Sequence, residues 1–547
     1  MNEVVKLMNN TLPVSAYLAQ ISESLATNNN LVLQAEPGAG KSTAVPLSLI
    51  KADFLQGKKI VLLEPRRIAA KSIAHYLAKQ LGQPVGQQVG YQIRNESKTS
   101  KDTRLEIVTE GVLTRRLQQD PELSDTGLLI FDEFHERSIH ADLALMLALE
   151  AQEAYRDDLK ILVMSATIDT AQISAYLHHA PVIKCPGRSY PVSVEYFGKA
   201  KSTYTSQLTE QVLKALKMVL QQDKNGDVLV FLSGQGEIKR CLQAAQAAFD
   251  EQIDFLPLYG GLPLAQQELV LSASNPQRQR VIFATNIAET SLTISGITTV
   301  IDSGLAKVMS FDVKSGLQRL ETTYISKASA TQRAGRAGRV EAGRCIRLWS
   351  ESDQQALSDY QLEEIVSANL ASLVLDLSAW GVTSFAKANW LTPPPEHHFN
   401  LACQLNIALG LMEKDNKISA LGSQALALGV EPRLATMLLS SGSKLEKSIS
   451  CILAALLSER DILFNAQHSD ITDRAIVLID YLNNRQSIKG RRDINVGALT
   501  QTALLVKSFA RFFNLADICQ VLKPDISLAL LHQHVGRLLL IAYPDCL

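Results

Sequence analysis

The sequence predicts an α/β fold: two tandem domains, each built on a parallel, doubly wound sheet, followed by an all-α region. Three observations predict it. From Leu31 to Ile183 short apolar runs (LVLQA, IVLLEP, LEIVT, GLLIFDE, ILVMSAT) alternate with helical patterns, as repeated strand and helix units do. Beyond the turn-rich CPGRSYPV the alternation starts again with VLVFLS, FLPLYG, RVIFAT and TTVIDSG. From about Glu351 the texture turns helical, opening with LEEIVSANLASLVLDLSAW and staying rich in Leu and Ala to the end.

Within the second series, LAKVMSFDVKSGLQRLETTYIS sets two strand-like stretches around an Asp-Val-Lys-Ser-Gly turn, which predicts a long hairpin.

A chain of 547 residues is too long for one core, and domains of about 100–200 residues suggest three or four of them. Hydrophobic residues at 46% and charged ones at 20%, without low-complexity tracts, fit a folded soluble chain and exclude large-scale disorder. A net charge of -1 excludes a global basic field, so nucleic-acid binding would need a local channel. The 7 cysteines are scattered and form no CxxC pair, which reads as reduced thiols in a cytoplasmic protein. The opening has no signal-peptide pattern, and no apolar run nears the roughly 18 residues of a membrane helix.

LVLQAEPGAGKSTAVPLSLI reads as strand, glycine-rich turn and helix. In such a turn the backbone amides around Gly38 and Gly40 cradle phosphates, Lys41 reaches the terminal ones and Ser42 can hold Mg²⁺. The full P-loop pattern has glycine where this chain has Ala35, which keeps the small size.

LLIFDEFHERS ends a buried strand on Asp132, Glu133 and His135. A metal site, a charged helix start and the acidic box of a nucleotide-driven motor compete for that pattern. As an acidic box at the carboxyl edge of a parallel sheet, Asp132 would bind Mg²⁺, usually through water, and Glu133 would activate the attacking water. A zinc protease needs HExxH on a helix, but His135 is followed directly by Glu136, and His135 to His140 is not an i, i+4 pair. A solvated first turn of a helix is the bland reading of Glu136 and Arg137, and it is the one preferred for Glu136.

ATQRAGRAGR gathers Gln332, Arg333, Arg336 and Arg339. On a helix Gln332, Arg336 and Arg339 would share one face, with Arg333 at the side. Such arginines could neutralise a transferred γ-phosphoryl group, while a plain RNA-binding or solvated basic run is the rival reading.

Eight stretches in order, AEPGAGKST, EPRRIAAKS, TEGVL, DEFHERS, SAT, FLSGQGEI, ATNIAETSLTI and QRAGRAGR, resemble the motifs of superfamily 2 helicases of the DEAH/RHA branch. The variant DEFH, the EPRRIAA block and the late AYPD resemble the bacterial HrpB-type ATP-dependent helicases within it. The resemblance runs from about residue 10 to the last residue.

That resemblance implies two tandem RecA-like P-loop domains with ATP between them, then winged-helix and ratchet regions, at residues 1–188, 189–352, 353–415 and 416–547. Pro37, Gly38, Ala39, Gly40, Lys41, Ser42 and Thr43 would hold ATP from one side, and Gln332, Arg336 and Arg339 from the other. Ser42, Asp132 and Glu133 would serve Mg²⁺. His135 would link the nucleotide site to the second domain through hydrogen bonds, and Ser165, Ala166 and Thr167 would couple hydrolysis to strand movement. RNA, single-stranded or partly duplex, or DNA in its place, would meet Arg66, Arg67, Thr109, Gly111, Thr285 and Asn286. Contacts to phosphates and sugars carry no base code, so the motor would be largely sequence-indifferent. The hairpin around Asp312 to Gly316 resembles the family's strand-separating element. The implied activity is 3′ to 5′ RNA unwinding driven by Mg-ATP hydrolysis, by a cytoplasmic monomer.

Three departures qualify the resemblance. Tyr76 and Leu305 stand where members often hold the adenine between an arginine and an aromatic ring, and Ser295 replaces a commonly acidic residue. LLLIAYPDCL stops where relatives continue into an OB-like domain, so the chain reads as truncated, with weaker single-strand binding expected. An RNA-stimulated ATPase switch or scaffold without unwinding is therefore the alternative function. A decayed, inactive copy is a third reading, which intact Lys41, Asp132, Glu133 and Arg339 oppose.

Overall fold

The protein is described by a computed structural model over residues 12–546, apart from 37, 94–95, 168, 188–189, 198–204, 223–225, 250–251, 272–277, 290–293, 340, 465, 516–517 and 524–527. Pro37 and most of the SLTI stretch therefore lie outside the described residues.

The first sheet holds β1 (Asn30–Ala35), β2 (Lys59–Leu63), β3 (Val89–Ile93), β4 (Glu96–Lys98), β5 (Leu105–Val108), β6 (Thr126–Phe131), β7 (Lys160–Ser165) and β8 (Val182–Cys185). Its order is β4-β3-β5-β2-β6-β7-β1-β8, parallel throughout except for the short antiparallel β3/β4 pair at one edge. The central strands β2, β5, β6 and β7 are almost wholly buried, which is why they read as continuous apolar runs rather than alternating ones.

The second sheet holds β9 (Val192–Tyr196), β10 (Asp227–Phe231), β11 (Asp254–Leu258), β12 (Arg280–Ala284), β13 (Ile297–Asp302) and, after the hairpin, β16 (Gly343–Arg347). Its order is β11-β12-β10-β13-β16-β9, and every pair is parallel. Pro257 falls on the edge strand β11, where its missing amide hydrogen breaks no central ladder. The hairpin strands β14 (Leu305–Asp312) and β15 (Leu317–Tyr324) form their own two-stranded sheet, and Gly316 donates back to the Asp312 carbonyl across the turn. All of β15 is exposed.

Beyond β16 the described residues form helices and only two isolated bridges, Met412 with Ile418 and Leu463 with Ile494. Residue contacts divide the chain into two compact units. One comprises Met1–Ser310, Arg319–Ser367 and Trp390–Thr392, and the other Phe311–Gln318, Ala368–Asn389 and Pro393–Leu547. The helical unit has its own apolar core around Leu438, Leu453, Leu478 and Val506. None of its described helices, nor of those in the first unit, is long and apolar enough to cross a membrane.

Candidate nucleotide site

The buried strand β1 runs into a turn that ends on the helix Lys41–Leu49. Gly38 at φ 85° and Gly40 at φ 91° take left-handed backbone, which glycine enters without a Cβ penalty. At Gly40 a Cβ would also stand 2.9 Å from a methyl carbon of Leu12. The turn thereby exposes the first amides of the helix, the part of a helix that attracts anions. Gly38 is exposed, Ala39 buried, and Ser42 and Thr43 half-buried at the start of that helix.

Lys41 is 3% exposed and donates from Nζ to Glu133 Oε1 at 2.8 Å, while Asp132 Oδ1 lies 3.9 Å away. Burial works against the Lys41 charge, but Glu133 and Asp132 outweigh it and hold its pKa above the ordinary lysine value. Burial pushes Glu133 up, yet Lys41 wins and keeps it ionised well below the usual carboxylate range. Asp132 goes the other way: burial raises it, Lys41 only partly offsets that, and the neighbouring Glu133 adds to the rise. Ser42 lies near enough to Asp132 to pull its pKa down against that rise. Ser42, Asp132 and Glu133, the three residues expected to serve Mg²⁺, thus stand together. Among the described residues no cluster of three His, Cys, Asp or Glu side chains offers a protein-only metal cage. The hydroxyl of Ser42 and the open oxygen of Asp132 fit Mg²⁺, which takes one or two protein ligands and completes its shell with phosphates and water.

The acidic box is not the start of a helix. Glu133 at φ 50° and Arg137 at φ 45° are both left-handed and bracket a single 3-10 turn, Phe134–Glu136. The next helix, Ile139–Ala154, begins only after Ser138, whose side chain accepts from the Ala141 amide as its cap. Glu136 therefore corrects the expectation of a solvated first turn: it pairs with Arg66 Nη2 at 2.9 Å. Phe134 is buried edge-on against Phe131 with ring centres 6.1 Å apart, which pins the turn to the sheet.

Five buried polar atoms here have no hydrogen-bond partner: Asp132 Oδ2, Glu133 Oε2, Ser165 Oγ and both ring nitrogens of His135. An unmet buried polar group costs about 1–3 kcal/mol, so their convergence marks a place shaped for a polar ligand. His135 Nδ1 lies 3.5 Å from Glu133 Oε2, and burial lowers its pKa, favouring the neutral ring. Among the described residues it forms no hydrogen bond to the second sheet's domain.

The other half of the site comes from the helix Lys327–Gly335, capped by the Ser326 side chain. This helix stops at Gly335, so the single face expected for Gln332, Arg336 and Arg339 is not one helical face. Arg336 only closes the last turn, and Arg339 lies beyond it. Gln332 Nε2 donates to Thr167 Oγ1 at 2.5 Å, joining the second sheet's domain to the segment after β7. Arg336 is buried and donates to the Glu289 carbonyl at 2.8 Å; burial first, then Arg339, lowers its pKa, and Glu133 pulls it back. Burial lowers Arg339 to about 10, again against an opposing pull from Glu133. The box and the basic motif are thus close enough to feel each other's charge. Arg333 is fully buried and held by Asp302 at 2.9 Å and Glu289 at 3.0 Å, over the Phe231 ring.

The residues expected to meet nucleic acid sit just past the carboxyl ends of β2, β5 and β12. Arg67, Gly111 and Asn286 are exposed, Thr285 is half-buried, and Thr109 is buried as the cap of the helix Glu110–Gln119. Arg66 is engaged within the protein, by the Ile287 carbonyl at 2.9 Å and by Glu136. Ser165 and Ala166 are buried at the end of β7. Tyr76 is 46% exposed on the helix Arg67–Gln80, and Leu305 is buried in the second sheet's core.

Two contributors escaped the sequence reading. Glu64, at the end of β2, is buried and its pKa is pushed well up by burial and then by Asp132 and Glu133. Glu289 holds both Arg333 and Arg336. The acid in LLEP, at the carboxyl end of an apolar strand, was the available signal for Glu64; for Glu289 the only signal was its place inside a motif.

Two family descriptions match the chain: DEAD/DEAH box helicase over residues 16–175 and Helicase conserved C-terminal domain over residues 210–341. ATP-dependent RNA helicase HrpB of Escherichia coli (strain K12) is 42% identical over 449 residues, covering 82% of this chain and 55% of the relative. Probable ATP-dependent RNA helicase DHX34 of Homo sapiens is 37% identical over 468 residues, covering 84% of this chain and 41% of the relative. The crystal structure of Escherichia coli DEAH/RHA helicase HrpB aligns with a TM-score of 0.83 at 36% identity, covering 98% of this chain and 63% of that one. The chain thus spans about half the length of these curated relatives.

Proposed function

The chain belongs to the DEAD/DEAH box helicase family, and on that premise we propose that it is a Mg-ATP-driven RNA motor that moves 3′ to 5′ along a single strand and unwinds duplexes. One observation carries the reading: Lys41, Asp132 and Glu133 meet in a buried cluster with open oxygens, within electrostatic reach of Arg336 and Arg339. The division at 1–188, 189–352, 353–415 and 416–547, the monomeric state and the cytoplasmic location belong to the same proposal.

In this mechanism the helix amides after Gly40 bind the phosphates of ATP and draw Lys41 onto them. Lys41 leaves Glu133, whose carboxylate loses its countercharge, rises in basicity and can accept a proton from the attacking water. Ser42 and Asp132, with Glu133 beside them, would hold Mg²⁺, which would supply neutralisation of charge on the phosphates. Arg336 and Arg339 stabilise charge developing on the transferred group from the opposite side. Gln332, bonded to Thr167, ties that movement to the Ser165–Ala166–Thr167 segment. Arg67, Thr109, Gly111, Thr285 and Asn286 would touch the RNA backbone, and the β14/β15 hairpin would part the strands.

The test is ATP turnover with and without single-stranded RNA, followed by displacement of duplexes with either overhang, in RNA and in DNA. Stimulated turnover with displacement from a 3′ overhang is expected. Stimulation without displacement of any duplex would leave the ATPase switch instead.

A further inference from the structure

Arg137 closes the acidic box, yet nothing in the phosphate chemistry uses it. Its side chain is 9% exposed and its guanidinium is fully engaged. Nε and Nη2 grip Asp142 at 2.9 Å each, Nη2 also donates to Thr392 Oγ1 at 2.8 Å, and Nη1 lies 3.4 Å from Glu363 Oε1. The ring of Phe134 sits 5.7 Å from its guanidinium carbon. The backbone joins in: the Arg137 carbonyl accepts from the Glu364 amide at 3.3 Å, and the Ile139 amide donates to Glu364 Oε2 at 3.0 Å.

Glu363, Glu364 and Thr392 come from two stretches far apart in sequence from the box. They flank three of the five points where the chain passes from one compact unit to the other, after Ser367 and on both sides of Trp390–Thr392. The segments from which the helical unit is strung are therefore fastened to one buried arginine. That arginine and Glu133 are the two left-handed ends of the same short turn. Left-handed backbone in a residue with a side chain persists only while its surroundings impose it. A displacement of residues 363–364 or 392 would thus be felt at Glu133 through few intervening bonds.

We propose that Arg137 is a positioning residue: with Glu363, Glu364 and Thr392 it forms a latch by which a shift of the segments leading into the helical unit, on binding of nucleic acid, resets the acidic box for ATP hydrolysis. This rests on the proposed RNA-stimulated ATPase. It is reached from the far side by the double variant Glu363→Gln, Thr392→Val, which leaves Arg137 its bidentate grip on Asp142. With a single-stranded oligouridine as the probe, the double variant should keep its basal turnover and its KM for ATP. Its stimulation by RNA should fall by about fivefold or more, the size of an ordinary coupling between sites. Arg137→Lys keeps the charge but not the fork, and should lose stimulation likewise while remaining folded by circular dichroism. Undiminished stimulation in the folded double variant would overturn the latch, and so would a parallel fall of basal and stimulated turnover, which marks a purely structural role. An unmodified protein whose ATP turnover ignores RNA would overturn the functional reading itself, and the latch with it.

Discussion

Asp132 and Asp302 stand at equivalent places, at the carboxyl ends of central strands: β6 lies between β2 and β7, and β13 between β10 and β16. Both are buried, and burial raises the pKa of both. Their surroundings differ in kind. Asp302 receives Arg333 at 2.9 Å and the Gly304 amide at 2.9 Å, and Arg333 is held in turn by Glu289 and by the face of Phe231. Asp132 shares one cation, Lys41, with Glu133 and, at longer range, with Glu64. The first arrangement closes on itself, although Asp302 Oδ2 and Arg333 Nη2 stay open. The second carries surplus negative charge and open oxygens beside a cradle of amides. A buried ion cluster stabilises a fold when its charges match, and becomes a ligand site when they are left unmatched in a defined direction.

The largest test of that contrast removes the base. Glu133→Gln should lower ATP turnover by about 10²–10⁴-fold while nucleotide binding persists, because water activation goes and the phosphate cradle stays. Turnover and equilibrium binding of a fluorescent nucleotide measure the two halves, and unchanged turnover would reassign the base. Breaking the closed cluster should act on stability instead. Arg333→Met strands Asp302 and Glu289 and should cost about 3–5 kcal/mol in urea unfolding; a smaller loss would mean the cluster is less matched than its distances suggest. The finest test compares signs. Asp132→Asn relieves like-charge crowding and should raise stability by about 1 kcal/mol, whereas Asp302→Asn weakens the hold on Arg333 and should lower it by about 1–2 kcal/mol. Shifts of the same sign in both variants would remove the distinction between the two clusters.

Much of this was legible beforehand, and the exceptions have physical causes. The runs read as β1, β2, β5, β6, β7, β10, β12 and β13 are largely buried apolar strands and the one read as β11 is a half-buried edge strand, and the hairpin showed in its alternation and turn. The strands β3, β4, β8, β9 and β16 did not stand out. β9, VSVEY, is almost wholly exposed, β16 carries two arginines, and β3 contains Gly90, whose place follows from the Lys98 carbonyl 2.5 Å from where a Cβ would stand. β4, β8 and β9 are edge strands, which bury little and need no apolar run to announce them, whereas β3 and β16 lie inside their sheets and were hidden by their glycine and arginines.

The site divides the same way. The glycine turn, Lys41 and the acids after β6 follow from local rules: backbone conformation, helix-end amides and the apolar run before them. Those rules act over a few residues, so the linear sequence determined them. The pairing of Lys41 with Glu133, the approach of Glu64, the pairing of Arg333 with Asp302 and Glu289, and the fastening of Arg137 to residues 363–364 and 392 were decided by tertiary structure alone. Charge pairing depends on distance through space. That distance is set by strand order and by where a helix ends, as at Gly335, which no local pattern encodes.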